Sequence, residues 1–253
     1  MTTTTAFGNQ KGGPGKTTST LCLASELARL GRTVLVIDLD QQAHATMTLE
    51  PGALYTIKDV LLDQDLPLHE VVASTAWQGV DVVPGSGAMQ TFEKESANAV
   101  LRLRKELRDP AFKIYDDILI DMPPAMGNAA VSGILAADRL LAVTSPEPFS
   151  ISALGNFLSM VEELSEMNPD LITHILVNQY RKGVSEHEYR ARELREEMGD
   201  RLLEPFIPNA VGALLIGSTG QRPHEVNTGT ARRLSNAYAM IAQRLIELEG
   251  SNQ

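Results

Sequence analysis

Eight residues, Lys11 to Thr18 (KGGPGKTT), constrain this chain more than any others. An apolar, β-prone run from Thr2 to Phe7 precedes them, and Thr18 to Leu30 carries helical periodicity. Strand, glycine loop and helix in that order make a phosphate-binding loop, whose backbone N–H groups converge on phosphate oxygens at a helix N-terminus. The backbone approaches an anion that closely only where Cβ is missing, which assigns Gly12, Gly13 and Gly15. Lys16 is expected to reach the β- and γ-phosphates, Thr17 to place its hydroxyl on Mg²⁺, and Thr18 to join the same nucleotide site. Pro14 departs from the ideal by removing an N–H that the loop could have donated. The usual spacing G-x-x-x-x-G-K-[ST] is also broken, its first glycine falling on Gln10. A chance glycine turn before a helix is the plain alternative, and the joint register of strand, glycines and GKTT argues against it.

Further strands are expected at Thr33–Asp38, Val80–Val83, Asp117–Asp121, Leu140–Thr144, Ile172–Asn178 and Leu203–Ile207. Helical patterns fall at Thr56–Leu62, Ala88–Leu107, Asn128–Ala137, Ser150–Glu166 and Ser185–Met198. Strands alternating with helices give an α/β, doubly wound, mostly parallel sheet with helices on both faces. Ligand crevices in such sheets lie beyond the carboxyl ends of the strands, where the loop and the acidic segments described next all fall. The 253 residues are expected to form a single domain, with no helix-turn-helix domain before the first strand.

Composition narrows the classes. The single cysteine, Cys22, forms no internal disulfide and suits a reducing cytoplasm. No run approaches the roughly 18 apolar residues of a membrane span, and no leader is evident. A net charge of −10 argues against coating DNA by bulk charge, so any DNA contact is expected to be a local, salt-sensitive patch.

The decapeptide NQKGGPGKTT resembles the signature of the deviant Walker A ATPases, K-G-G-x-G-K-[ST]-T preceded by N-Q, and within them the ParA/Soj partition branch. The resemblance implies that Lys11 is the signature lysine, crossing a dimer interface to the ATP of the other subunit. A cation arriving in trans stabilises charge developing in phosphoryl transfer; a solvated surface lysine is the alternative. DLDQQ resembles the first switch, D-x-D-P-Q, with Gln41 in place of the proline. By position, Asp40 is implied to orient the attacking water and Asp38 to support Mg²⁺. ILIDMPP resembles the D-x-P-P form of Walker B, implying that Asp121 holds Mg²⁺ through water. Asn178, Pro208 and Asn209 match the adenine-contacting positions of relatives, although Asn and Pro are equally ordinary turn formers.

The branch follows from what the chain lacks and carries. One cysteine excludes relatives that bind iron–sulfur clusters through paired cysteines. The ending IAQRLIELEGSNQ is no basic amphipathic membrane anchor: Leu234, Tyr238, Ile241, Leu245 and Leu248 read as a helix packed on its own domain. The resemblance then implies a cytoplasmic, nucleoid-associated partition ATPase. ATP and Mg²⁺ would join two subunits into a homodimer that binds DNA without sequence preference, and a ParB-like partner would stimulate a weak intrinsic hydrolysis. Candidate DNA contacts are Arg222, Arg232 and Arg233. Arg190 and Arg192 lie four residues from Glu186 and Glu188, the spacing of a solvated, ion-paired helix face. A related positioning ATPase for a protein cargo, such as a microcompartment or receptor cluster, is the rival. A metabolic P-loop enzyme is a third reading that leaves Lys11 without a role.

Overall fold

The computed structural model describes residues 2–63, 65–210 and 212–251. In chain order the elements are β1 (Thr3–Gly8), α1 (Lys16–Arg29), β2 (Val34–Asp38), α2 (His44–Leu49), α3 (Ile57–Leu62), β3 (Ala73–Ser74), β4 (Val80–Val83), α4 (Ala97–Glu106) and β5 (Asp117–Asp121). They continue with α5 (Asn128–Ala136), β6 (Arg139–Thr144), α6 (Pro148–Glu163), β7 (Ile172–Val177), α7 (Ser185–Met198), β8 (Leu202–Leu203), α8 (Gly212–Thr219) and α9 (Gly229–Ser251). The strands form one sheet in the order β3-β4-β2-β5-β1-β6-β7-β8, parallel except for the β3–β4 pair. This is the expected doubly wound α/β architecture. The chain winds one way from β1 to β2 and the other way from β6 to β8, so a crevice opens at the carboxyl end of β1.

Both faces of the sheet are covered, which explains why β2, β5 and β6 carry near-continuous apolar runs rather than alternating patterns. Successive side chains of a strand point to opposite faces. Leu35, Ile37, Ile118 and Ile120 accordingly join one core layer under α3 to α6. Val34, Val36 and Leu119 join the other, under α1, α8 and α9. Among the described residues no helix is long and apolar enough to cross a membrane.

Two expectations are corrected, and three short elements were not expected. The helix expected over Ala88–Leu107 is a 3-10 segment, Gly87–Lys94, followed by α4. The Asn128 side chain takes the carbonyls of Phe92 and Glu95 at 3.0 Å each, and the Glu93 carboxylate is drawn to the Asn128 N–H at 2.6 Å. The carbonyls needed to continue the helix are thus spent on the start of α5. The strand expected over Leu203–Ile207 stops at Leu203, two residues before Pro205, which has no N–H for a ladder. The two short helices α2 and α8 and the two-residue β3 were not foreseen, being too brief to show a period.

The last helix packs on its own domain, with Leu234, Tyr238, Ile241 and Leu245 buried against α1 and the sheet. Its far end is pinned by charge. Glu249 accepts from Arg32 at 3.1 Å and lies 3.6 Å from Arg139, while Arg32 also donates to Asp117 at 3.1 Å. Arg139 is almost fully buried, so losing its acidic neighbour leaves a desolvated cation poorly matched. We predict that Glu249→Ala destabilises the fold by about 2 kcal/mol, read as a lower urea midpoint at unchanged slope. An unaltered midpoint would mean that the cluster contributes nothing beyond screened surface charge.

Candidate functional site

The site is built where β1, β2 and β5 end. Phe7 and Asp38 both register with Asp121, so the two carboxylates stand at the carboxyl ends of neighbouring central strands. Above them the chain leaves β1 through Asn9, which is buried. Its amide donates to Val143 O at 2.5 Å and its carbonyl oxygen accepts the Lys11 N–H at 3.1 Å, fixing the first turn of the loop. Gly13 and Gly15 both have φ of 91°, in the left-handed region that favours glycine. Gly15 is also the N-cap of α1, and having no side chain it leaves the first N–H groups of that helix free for an anion.

A cavity of about 710 Å³ opens over this loop. Gly12, Gly13, Gly15, Lys16, Thr17 and Thr18 line it next to Asn178, and Asp40, Pro208 and Asn209 contribute to the rest of its lining. The separation of these groups along the chain disappears in space, as the sequence pattern implied.

Charges beneath the cavity are strongly perturbed. Asp121 is fully buried, and burial together with the neighbouring Asp38 pushes its carboxyl up to about 8, against a Thr17 hydrogen bond and Lys16. One Asp121 oxygen accepts from Thr20 Oγ1 at 3.4 Å, while Oδ2 is buried without a hydrogen-bond partner. Burial also lowers the Lys16 ammonium, and Asp121 and Asp40 oppose that shift. Asp38 is raised to about 6 by burial, even though Thr46 donates to it from Oγ1 at 2.7 Å and from N–H at 2.9 Å, and Asp40 from N–H at 3.1 Å.

A divalent cation and a polyphosphate fit this set. One Asp121 oxygen has no hydrogen-bond partner, the Thr17 hydroxyl stands beside the carboxyl, and a Cβ on Gly12 or Gly13 would meet nothing within 4 Å. Thr17 and Asp121 are the residues that would hold Mg²⁺. Asp38 is engaged otherwise: both its oxygens accept from the segment it precedes, so it organises residues 40–46 and holds Asp40 at the cavity.

Lys11 lies apart from the cavity lining. Its ammonium donates to Ser150 Oγ at 2.9 Å and pairs with Glu147 at 3.3 Å, at the start of α6. That side chain remains 36% exposed, so the lysine is held at the rim rather than over its own phosphate loop. Ser150 and Glu147 were not singled out from the sequence, and no local pattern marks them. Gln179 was also missed. It lines the cavity beside Asn178, and the signal was available as a second Asn-Gln doublet matching Asn9-Gln10.

Arg222 is a correction. It is only 9% exposed, donates to Gln78 O at 2.7 Å and lies over the Trp77 ring at 5.7 Å, so it belongs to the fold rather than to an accessible face. Arg232 and Arg233 are exposed near the start of α9, with Arg232 donating to Asn227 at 2.7 Å. On α7, Arg190 pairs with Glu186 and Glu193, as the solvated-face pattern anticipates, whereas Glu188 accepts the Gly183 N–H.

A family model described as an AAA domain matches residues 2–173. The chromosome partitioning protein ParA of Caulobacter vibrioides is 30% identical over 258 positions, covering 98% of this chain and 95% of that protein. The chromosome-partitioning ATPase Soj of Thermus thermophilus is 32% identical, covering 81% of each. Among solved structures, cobyrinic acid a,c-diamide synthase from Mycobacterium smegmatis with ADP and magnesium superposes with a TM-score of 0.83 at 24% identity, covering 100% of this chain and 97% of that one. An ATP complex of an McdA variant from Cyanothece gives 0.81 at 21% identity, covering 96% of each. At those identities the two structures speak to the fold alone.

The orphaned carboxylate generates a prediction. Burial and Asp38 raise Asp121 to about 8, so folding costs free energy either to bury its charge or to protonate it, and a neutral isostere removes that cost. Asp121→Asn should therefore stabilise the metal-free, nucleotide-free protein by about 1 to 3 kcal/mol in thermal unfolding, and abolish any rise in Tm on adding Mg²⁺. A variant less stable than the parent would show that the carboxylate is compensated in the resting fold.

Proposed function

Because the chain belongs to the ParA/Soj family of P-loop ATPases, we propose that it is a ParA-type ATPase of plasmid or chromosome partition, in which ATP and Mg²⁺ join two copies into a DNA-binding dimer. The observation that carries this reading is Lys11. A metabolic P-loop enzyme needs one loop lysine, and Lys16 fills that role inside the cavity. Lys11 stands outside the cavity lining with its side chain 36% exposed, which leaves it available to the site of a second copy in this reading.

The chain's own residues divide the work as follows. The loop N–H groups and Lys16 bind the β- and γ-phosphates, and Lys16 draws off charge as the terminal phosphoryl group departs. Thr17 and Asp121 hold Mg²⁺, which when bound spreads the negative charge of the phosphates. Asp40 accepts a hydrogen bond from the attacking water and orients it in line, held in place through its own N–H by Asp38. Pro208 and Asn209 flank the base at the far end of the cavity. Lys11 leaves Glu147 and Ser150 and supplies a second cation to the ATP of the other subunit. Hydrolysis alone is slow, because the resting protein holds that cation elsewhere, and a ParB-like partner accelerates it. The protein works in the cytoplasm on nucleoid DNA, through a patch that includes Arg232 and Arg233.

A second reading, a positioning ATPase for a protein cargo, shares every residue of the cavity. It is favoured by the thinness of the basic face: the chain carries −10 overall, Arg222 is buried, and Arg190 and Arg195 are committed to acidic partners.

We predict that Lys11→Ala binds ATP as the parent does but fails to dimerise with it in analytical ultracentrifugation, with hydrolysis falling about tenfold or more. Dimers and turnover at the parent's level would refute the trans role. DNA binding by the parent should require ATP rather than ADP and fall steeply with salt. Absence of DNA binding at low salt would transfer the assignment to the protein-cargo reading.

A further inference from the structure

Two carbonyls of the phosphate loop are gripped by a pair of adjacent side-chain amides. Asn178 Nδ2 donates to Pro14 O at 3.0 Å, and Gln179 Nε2 donates to Gly13 O at 2.7 Å. Both come from the turn that follows β7. There Asn178 is buried, its Oδ1 accepting the Gln179 N–H at 2.7 Å and its own N–H bonded to Thr144 O at 2.7 Å. Gln179 adopts the left-handed conformation, with φ of 59°, which few residues other than glycine take without a compensating contact. A Cβ on Gly15 would run into the Asn178 amide, so glycine at this position also serves the contact between the two segments.

The geometry points to a role for this pair: Asn178 and Gln179 are positioning residues that hold the phosphate loop in its anion-receiving form, and Gln179 compensates for Pro14. In a trans peptide the C=O and N–H lie in one plane and point in opposite directions. Holding Pro14 O against Asn178 therefore sets the direction of the Gly15 N–H, the donor that leads into α1. The Gly13–Pro14 peptide has no N–H and presents only a carbonyl, whose negative end would repel a phosphate. Gln179 occupies that carbonyl with a donor and keeps it directed away from the anion. The same turn is stitched to the far wall of the cavity. Tyr180 N–H donates to Ile207 O and Asn209 N–H to Tyr180 O, both at 2.9 Å, so the phosphate and base ends share one support.

This role differs from the adenine contact that family resemblance implies for Asn178, and the two separate experimentally. The inference rests on the cavity being an ATP site. The parent's own ATP titration tests that reading independently of dimer formation and DNA. Gln179 is the residue to change, since it is only partly buried and its loss leaves the Asn178 network intact. For Gln179→Ala, affinity for ATP, GTP and inorganic tripolyphosphate should each fall about five- to tenfold, the loss of one hydrogen bond. The ATP-to-GTP ratio and the Tm of the nucleotide-free protein should match the parent. Unchanged affinities would overturn the inference. So would weakened ATP binding with tripolyphosphate intact, which would make Gln179 a base contact. A fall in Tm accounting for the whole effect would reduce it to a general structural residue.

Discussion

The pairing of β2 with β5 sets a problem that the rest of the site answers. It brings Asp38 opposite Asp121 on adjacent central strands, both out of contact with water. Two carboxylates so placed cannot both remain ionised cheaply, and burial reinforces their repulsion. The chain satisfies one of them internally: Asp38 receives three donors from Thr46 and Asp40. It leaves the other incomplete, with one Asp121 oxygen unpartnered and Lys16 as its nearest cationic relief. A central strand pair in a well-packed sheet would be more stable with apolar ends. The strain is tolerable because the same charge has a partner when the site is filled.

This asymmetry also explains why the two acidic motifs were unequally legible. Asp121 followed by two prolines closes a strand rigidly, and its location at the base of the site was readable from the apolar run before it. Asp38 and Asp40 sit in a segment whose conformation depends on Thr46, eight residues after Asp38, inside a six-residue helix with no discernible period. Nothing local to DLDQQ announces that Asp38 would be spent on its own loop. The fold shows the same division. Strands covered on both faces are continuous apolar runs and were found nearly to the residue. The Ala88–Leu107 helix failed because the side chain of Asn128, distant in sequence, takes the backbone carbonyls of Phe92 and Glu95. Arg222 failed for a related reason, since its partner Trp77 lies far back in the chain.

Pro14 illustrates how a local rule is broken and repaired at a distance. Taken alone, a proline in a phosphate loop subtracts a donor and leaves a bare carbonyl. In the fold, that carbonyl and its neighbour face two amides delivered by a strand more than a hundred residues later in the sequence. The loop therefore need not be judged by its own N–H count. Its competence depends on whether the turn after β7 is in place, and that turn is in turn bonded to residues 207–209. Consistency between levels is restored by tertiary structure, where local sequence alone shows a conflict.

The same logic bears on Lys11. The proposed trans role requires that Lys11 not be held tightly in the resting protein, or the exchange would stall. Its present partners meet that condition. The Glu147 pair is exposed on both sides, 36% and 52%, where an ion pair contributes at most about 1 kcal/mol and is screened by salt. Ser150 adds one hydrogen bond of ordinary length. Against this, an ammonium placed beside the phosphates of a desolvated dimer site interacts with several negative charges at reduced dielectric, a far larger effect. Under the proposed trans role, the difference between the two environments would favour association of two copies only when a nucleotide is present. On that proposal, coupling between ATP and self-association would need no separate hinge: the weakness of the Lys11–Glu147 contact, together with the charge of the ligand, would make one depend on the other.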